Sequence, residues 1–157
     1  MLKQLTRLSV EADGRYATAA ELQFIKDYLD SVDKRISAYE KIQAMESQIV
    51  SKIDETRRAA EPELFAKTSQ VDGTLVCKRD FTNILRYSAA ALLFDDCDRV
   101  PDNYLLWYKT IVRTFKYDRA AGVTYKVVQD VTKQYLTPQE SALFSPILEL
   151  NQVVLGQ

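Results

Sequence analysis

Apolar residues recur three or four positions apart through most of the chain, the spacing that gathers side chains on one face of an α-helix. Leu2 to Ala12 gives a short first helix, and Asp13-Gly14-Arg15 the break after it. Thr18-Ala19-Ala20-Glu21 has capping-box spacing, in which the hydroxyl and the carboxylate satisfy each other's free backbone N–H groups. A second helix is therefore expected from there to about Ser31. Ile36, Tyr39, Ile42, Met45, Ile49 and Ile53 mark the stripe of a long helix reaching about Ala60, with Pro62 ending it.

After the turn at Asp72-Gly73, residues Cys77, Phe81, Ile84, Leu85, Ser88 and Leu92 share one side of a helix lasting to about Phe94. Asp95-Asp96-Cys97-Asp98 is the expected loop. Pro101 suits the first turn of the next helix, whose buried face would be Tyr104, Tyr108, Ile111, Val112 and Phe115. A further helix is expected over Val123 to Tyr135, although its valines also suit a strand. Thr137-Pro138-Gln139-Glu140 is a second capping box, opening a terminal helix through Leu150 that Pro146 should kink or break. The expected class is all-α.

Composition then narrows the function. The 157 residues are 46% hydrophobic, enough for the core of one ordinary domain. A net charge of −1 without a Lys/Arg-dense stripe argues against a nucleic-acid partner. No apolar run is long enough to span a membrane, and Met1 to Ala12 lacks the apolar region of a signal peptide, so a soluble, unexported protein is expected. Histidine is absent, which removes the usual general base, zinc ligand and axial haem ligand. Two cysteines cannot form a four-thiolate metal site.

Cys77-Lys78-Arg79-Asp80 concentrates the remaining chemistry. Asp80 lies near Cys77 on the helical wheel and Phe81 and Ile84 extend that face, so a thiol, a carboxylate and an apolar wall could share one pocket. Lys78 and Arg79 would favour the thiolate, as covalent attachment requires. The same residues also suit a buried cysteine beside a surface Arg–Asp pair. Cys97 sits among Asp95, Asp96 and Asp98, which should raise its pKa and leave it a poor nucleophile in a solvated acidic turn. Tyr104, Trp107 and Tyr108 could wall a planar ligand or belong to ordinary core. No acid–base spacing marks an enzyme.

Cys77-Lys78-Arg79-Asp80 with Leu85-Arg86-Tyr87 resembles the phycobiliproteins, the bilin-carrying light-harvesting subunits of cyanobacteria and red algae. Ala12-Asp13-Gly14-Arg15-Tyr16 with Glu21-Leu22, and Asp102-Asn103-Tyr104-Leu105 through Arg113-Thr114-Phe115, resemble further segments of that family in order and spacing. The resemblance implies a globin-like bundle, here residues 32–157, preceded by two N-terminal association helices in residues 1–31. It implies a linear tetrapyrrole of the phycocyanobilin type, thioether-linked to Cys77. Asp80 would then bond the central pyrrole N–H groups, Arg79 a propionate, and Tyr104 would pack near the attached end. It also implies a homologous partner subunit in an αβ-type dimer or ring, with Asp13 and Arg86 at the contact. Phycobilisome linker proteins and a peripheral place on the cytoplasmic or stromal face of the thylakoid membrane follow in the same way. The stretch between Leu64-Phe65 and Cys77 is shorter than in typical members, which suits a second reading: a pigment-free linker, assembly factor or regulator.

Overall fold

The computed structural model describes residues 1–65, 73–98, 100 and 104–156, without the side chains of 73–77. The described residues form helices α1 (Leu2–Glu11), α2 (Gln23–Ala60), α3 (Gly73–Phe94), α4 (Leu106–Thr114), α5 (Asp118–Lys133) and α6 (Pro138–Leu155). Tyr104 and Leu105 make a wider π-type turn leading into α4. The Val-rich segment is helical within α5. Asp72 and Pro101 lie outside the described residues.

The helix break expected near Ser31 is absent, and α2 runs unbroken for 38 residues. Ser31 is satisfied inside the helix instead of capping a new one. Its hydroxyl lies 3.1 Å from the carbonyls of Asp27 and Tyr28, and it accepts from Arg35 Nε at 2.9 Å. No Gly or Pro between Gln23 and Ala60 interrupts the backbone. The Thr18–Glu21 box does form, with Thr18 N–H donating to the Glu21 carboxylate at 2.8 Å and Glu21 N–H to the Thr18 hydroxyl at 3.3 Å. It closes a turn that precedes α2, and Arg15 adds two bonds to the same carboxylate at 3.0 and 2.7 Å. Gly14, at φ +73°, makes the break after α1.

Ala38, Ile42, Ile49 and Ile53 of α2 pack into a core with Phe81, Ile84, Leu85 and Leu92 of α3, Val127, Val128 and Val131 of α5, and Phe144, Ile147 and Leu148 of α6. Helix α2 lies against α3 and α5, α5 against α6, and α6 closes the bundle on α3 and α4. Two expected core residues face outward. Ile36 is half-exposed on the outer side of α2. Phe115 is exposed because α4 has ended at Thr114 and Lys116, at φ +57°, turns the chain away. Helix α5 starts earlier than Val123, with Asp118 favourably placed at its positive end.

Pro146 does not break α6, since Phe144 before it and Ile147 and Leu148 after it are all buried. At the far end Gly156 lets the backbones of α5 and α6 meet. A Cβ there would lie 3.1 Å from the Cα of Gly122 and 2.8 Å from the Gln152 carbonyl. A polar contact crosses the core between α6 and α3, from Asn151 Nδ2 to Ser88 Oγ at 2.8 Å.

The N-terminal region is held differently. Arg35 donates to the Leu92 carbonyl at 2.8 Å and pairs with Asp95 at 2.8 Å, placing a cation on the carbonyl end of α3. Tyr28 donates to the Leu93 carbonyl at 3.0 Å. Helix α1 buries none of its residues, and is tied down by the Met1 ammonium on the Asp95 carbonyl and by Lys3 at 3.8 Å from Asp98. The acidic turn is therefore partly spent on ion pairs, and Asp96 is buried, rather than the turn being wholly solvated. The fold is all-α: a globin-like bundle carrying an N-terminal helical arm.

Glu140 shows how the bundle closes. It completes the second capping box with Thr137 and accepts from Lys41 at 2.7 and 2.8 Å and from Ser37 at 2.7 Å, joining α6 to α2. Burial alone would raise its pKa, but these donors outweigh that and hold it down at about 2, against an ordinary 4.5. A depressed folded-state pKa contributes stability above the unfolded value that is lost as pH falls through the folded one. Thermal unfolding followed from pH 5 to 2 should show this loss in the wild type and a smaller one in Glu140→Gln. At neutral pH the variant should be less stable by about 1–2 kcal/mol, the scale of charge-assisted hydrogen bonds partly open to water.

Candidate functional site

Helix α3 carries the residues singled out by the sequence, and its first described turns are fixed from α2. Asp54 is buried and gathers cations from both helices: Arg57 at 2.6 Å, Arg58 at 3.2 Å and Lys78 at 3.3 Å. Arg57 is only 2% exposed, with its guanidinium 4.7 Å from the Phe65 ring and 5.4 Å from the Phe81 ring. Burial alone would raise the Asp54 pKa, yet the hydrogen bonds and charges of Arg57 and Arg58 bring it below its ordinary value.

One turn on, Asp80 is 9% exposed and takes two bonds on Oδ1 from Arg79, at 2.9 Å from Nε and 2.8 Å from Nη2. Arg79 itself reaches outward, its side chain 67% exposed. The sequence motif read Lys78 and Arg79 as two charges available to a cysteine thiolate. In the structure each is already paired, Lys78 with Asp54 and Arg79 with Asp80, so that electrostatic help is largely neutralised. Cys77 belongs to α3, and its side chain lies outside the described residues.

Aromatic rings stand around Asp80. Tyr104 is buried, with its ring centre 5.0 Å from Tyr87, 5.7 Å from Trp107 in a T-shaped contact and 5.7 Å from Tyr108 in a stacked one. Burial and then the Asp80 charge push the Tyr104 phenol up, opposed by a hydrogen bond with Asn83 and the charge of Arg79. Tyr125 of α5 is fully enclosed and bonded to Tyr108. Burial pushes its phenol well above the ordinary value, and Asp80 adds to this. The charge of Asp80 thus reaches Tyr104 and Tyr125 and favours their protonated form.

The structure therefore brings together Arg79, Asp80 and Tyr104, three of the residues expected at the site. Asn83 and Tyr87 went unnoticed as site residues, although they continue the face of Asp80 at three and seven positions further along α3. Tyr125 left no local signal. Cys97 is exposed, and desolvation of its sulfur followed by the charge of Asp95 raises its pKa, as expected of an unreactive thiol.

These features define a globin-like, all-helical protein with an N-terminal arm and a buried carboxylate walled by tyrosines. The profile of the phycobilisome protein family matches residues 8–152, and the chain belongs to that family. At the level of the family it is a light-harvesting phycobiliprotein. No curated protein matches the sequence. None of the described helices is long and apolar enough to cross a membrane.

The ion pairs differ in depth, which sets their weights. Asp54→Asn should cost about 3 kcal/mol, because it leaves Arg57 buried without its counter-charge. Separating the exposed pair Arg86–Glu46, 2.6 Å long, by Arg86→Ala should cost less than about 1 kcal/mol. Urea unfolding of the two variants measures this difference.

Proposed function

We propose that the chain holds a linear tetrapyrrole of the phycocyanobilin type, joined by a thioether to Cys77, and serves as an antenna subunit that does no chemistry on a substrate. The observation that carries this is Asp80: a carboxylate nine-tenths buried, on the turn after Cys77, among stacked tyrosines. Such a group fits a flat conjugated cation, since its charge offsets what the dry surroundings would otherwise expel. The bilin, when bound, supplies visible absorption. Asp80 would accept from its pyrrole N–H groups, and Tyr104 and Tyr87 would restrict it by packing. Arg79, with its exposed side chain, would turn from Asp80 to a propionate. The same Arg79–Asp80 pair also favours the second reading, a pigment-free linker, assembly factor or regulator, because it satisfies the carboxylate without any ligand.

The remaining proposals concern assembly. Residues 1–31 serve association with a homologous subunit, in a dimer or ring joined by linker proteins at the cytoplasmic or stromal face of the thylakoid membrane. Supporting this, α1 buries nothing, and Leu2, Leu5 and Val10 remain exposed. Asp13 is exposed as such a contact requires, whereas Arg86 is engaged with Glu46 across a groove of about 330 Å³ and would exchange that partner.

Co-expression with bilin synthesis tests the pigment. Colour surviving denaturation should appear in the wild type, persist in Cys97→Ala and vanish in Cys77→Ala. In Asp80→Ala the band should weaken and move to the blue. A colourless wild type would decide for the pigment-free reading. For assembly, deleting residues 1–20, which spares α2, should lower the oligomer mass in solution. An unchanged mass would remove the arm from the association surface.

A further inference from the structure

Helix α4 and the turn after it expose an apolar strip to solvent. Leu106 is 60% exposed, Trp107 61%, Phe115 61% and Tyr117 56%. Phe115 and Tyr117 stack with ring centres 5.9 Å apart, presented by the left-handed Lys116 between them. Along α4, Leu106, Thr110, Arg113 and Thr114 share one face, with Trp107 at its edge and Lys109 at the opposite flank. The two threonine hydroxyls donate back to the helix, Thr110 to the Leu106 carbonyl at 3.2 Å and Thr114 to the Thr110 carbonyl at 2.7 Å. That strip therefore offers methyl groups and rings, with its threonine hydroxyls already used.

Its charges have one sign. Lys109, Arg113 and Lys116 make no ion pair among the described residues. The next acid, Asp118, is half-buried in the first turn of α5, and Arg119 beyond it is occupied by Glu61 at 2.7 Å. An apolar strip with aromatic ends and cations along its flank matches the boundary of an anionic bilayer, where rings settle among the headgroups and basic side chains meet phosphate. The free donors of this face are its three cations and the ring groups of Trp107 and Tyr117, a set that suits headgroup phosphates and carbonyls.

We infer that the α4 face, from Leu106 to Tyr117, docks the protein on the surface of an anionic lipid membrane. The contact is peripheral, and it borders the proposed pigment site through Trp107, whose ring centre lies 5.7 Å from that of Tyr104. Trp107 is the chain's one tryptophan and stands at the edge of this face, so its emission in the pigment-free chain reports the contact. The test mixes the full chain with vesicles of phosphatidylglycerol and phosphatidylcholine in equal parts, or of phosphatidylcholine alone, and reads flotation and Trp107 emission. Anionic vesicles should bind about a hundredfold more tightly than neutral ones, shift the emission to the blue, and release the protein at high salt. Reversing Arg113 and Lys116 together (Arg113→Glu, Lys116→Glu) should abolish most of that preference. Leu106→Ser with Phe115→Ser should abolish flotation, and both variants should keep wild-type circular dichroism and melting because these positions are exposed. The inference is overturned by absence of binding to anionic vesicles, by equal binding to both kinds, or by binding that both variants retain. An emission shift with polyglutamate but not with vesicles would likewise overturn it, and would assign the face to an acidic protein.

Discussion

Arg57 carries a full positive charge where water scarcely reaches, and the structure around it follows from that. An isolated buried cation costs several kcal/mol, so Asp54 must stay ionised beside it, and the two phenyl rings offer their electron-rich faces. Asp54 then has charge to share with Lys78, the residue that begins the polar part of α3. The rotation of α3 about its axis is set there. With that rotation fixed, Asp80 comes to rest among Tyr87, Tyr104 and Tyr125, and Phe81, Ile84 and Leu85 point into the core.

Two sorts of ion pair consequently divide the labour. The Asp54 cluster and the Glu140 latch join α2 to α3 and to α6, with their carboxylates buried and Lys41 and Lys78 reaching in from the surface. Arg79–Asp80 is one-sided: the carboxylate is enclosed while the guanidinium is open to water. Such a pair can be broken from the outside, by anything that offers Arg79 another anion and Asp80 another donor. The site is thus built on a rigid floor with a replaceable lid residue.

Most of the fold was legible because helical periodicity, Gly14 and the Thr137 box are local signals. The failures were also physical. A helix end was expected near Ser31, but in place the serine returns its own hydroxyl to the helix and receives Arg35. Phe115 looked like core by spacing, and a left-handed lysine just beyond the helix end carried it outside. At the site, Asp80, Arg79 and Tyr104 could be named from the motif and the family it resembles. Asp54 and Arg57 could not, since their partnership with Lys78 spans two helices and no spacing encodes it. Tyr125 is joined to the site only through tertiary packing.

The uninterrupted α2 has a consequence for what this protein can transmit. At about 1.5 Å of rise per residue, 38 residues make a rod of roughly 57 Å, with the arm at one end and Asp54 near the other. A hinge at Ser31 would let a body seated on the arm swing freely. Without one, a subunit docked on the arm, as proposed above, would stand at a set separation and a set angle from the tyrosine-walled carboxylate. Excitation passing between two conjugated systems depends steeply on both quantities. If the chain and that subunit each hold a bilin, helix α2 would work as a ruler, making the optical coupling of neighbours a matter of backbone stiffness.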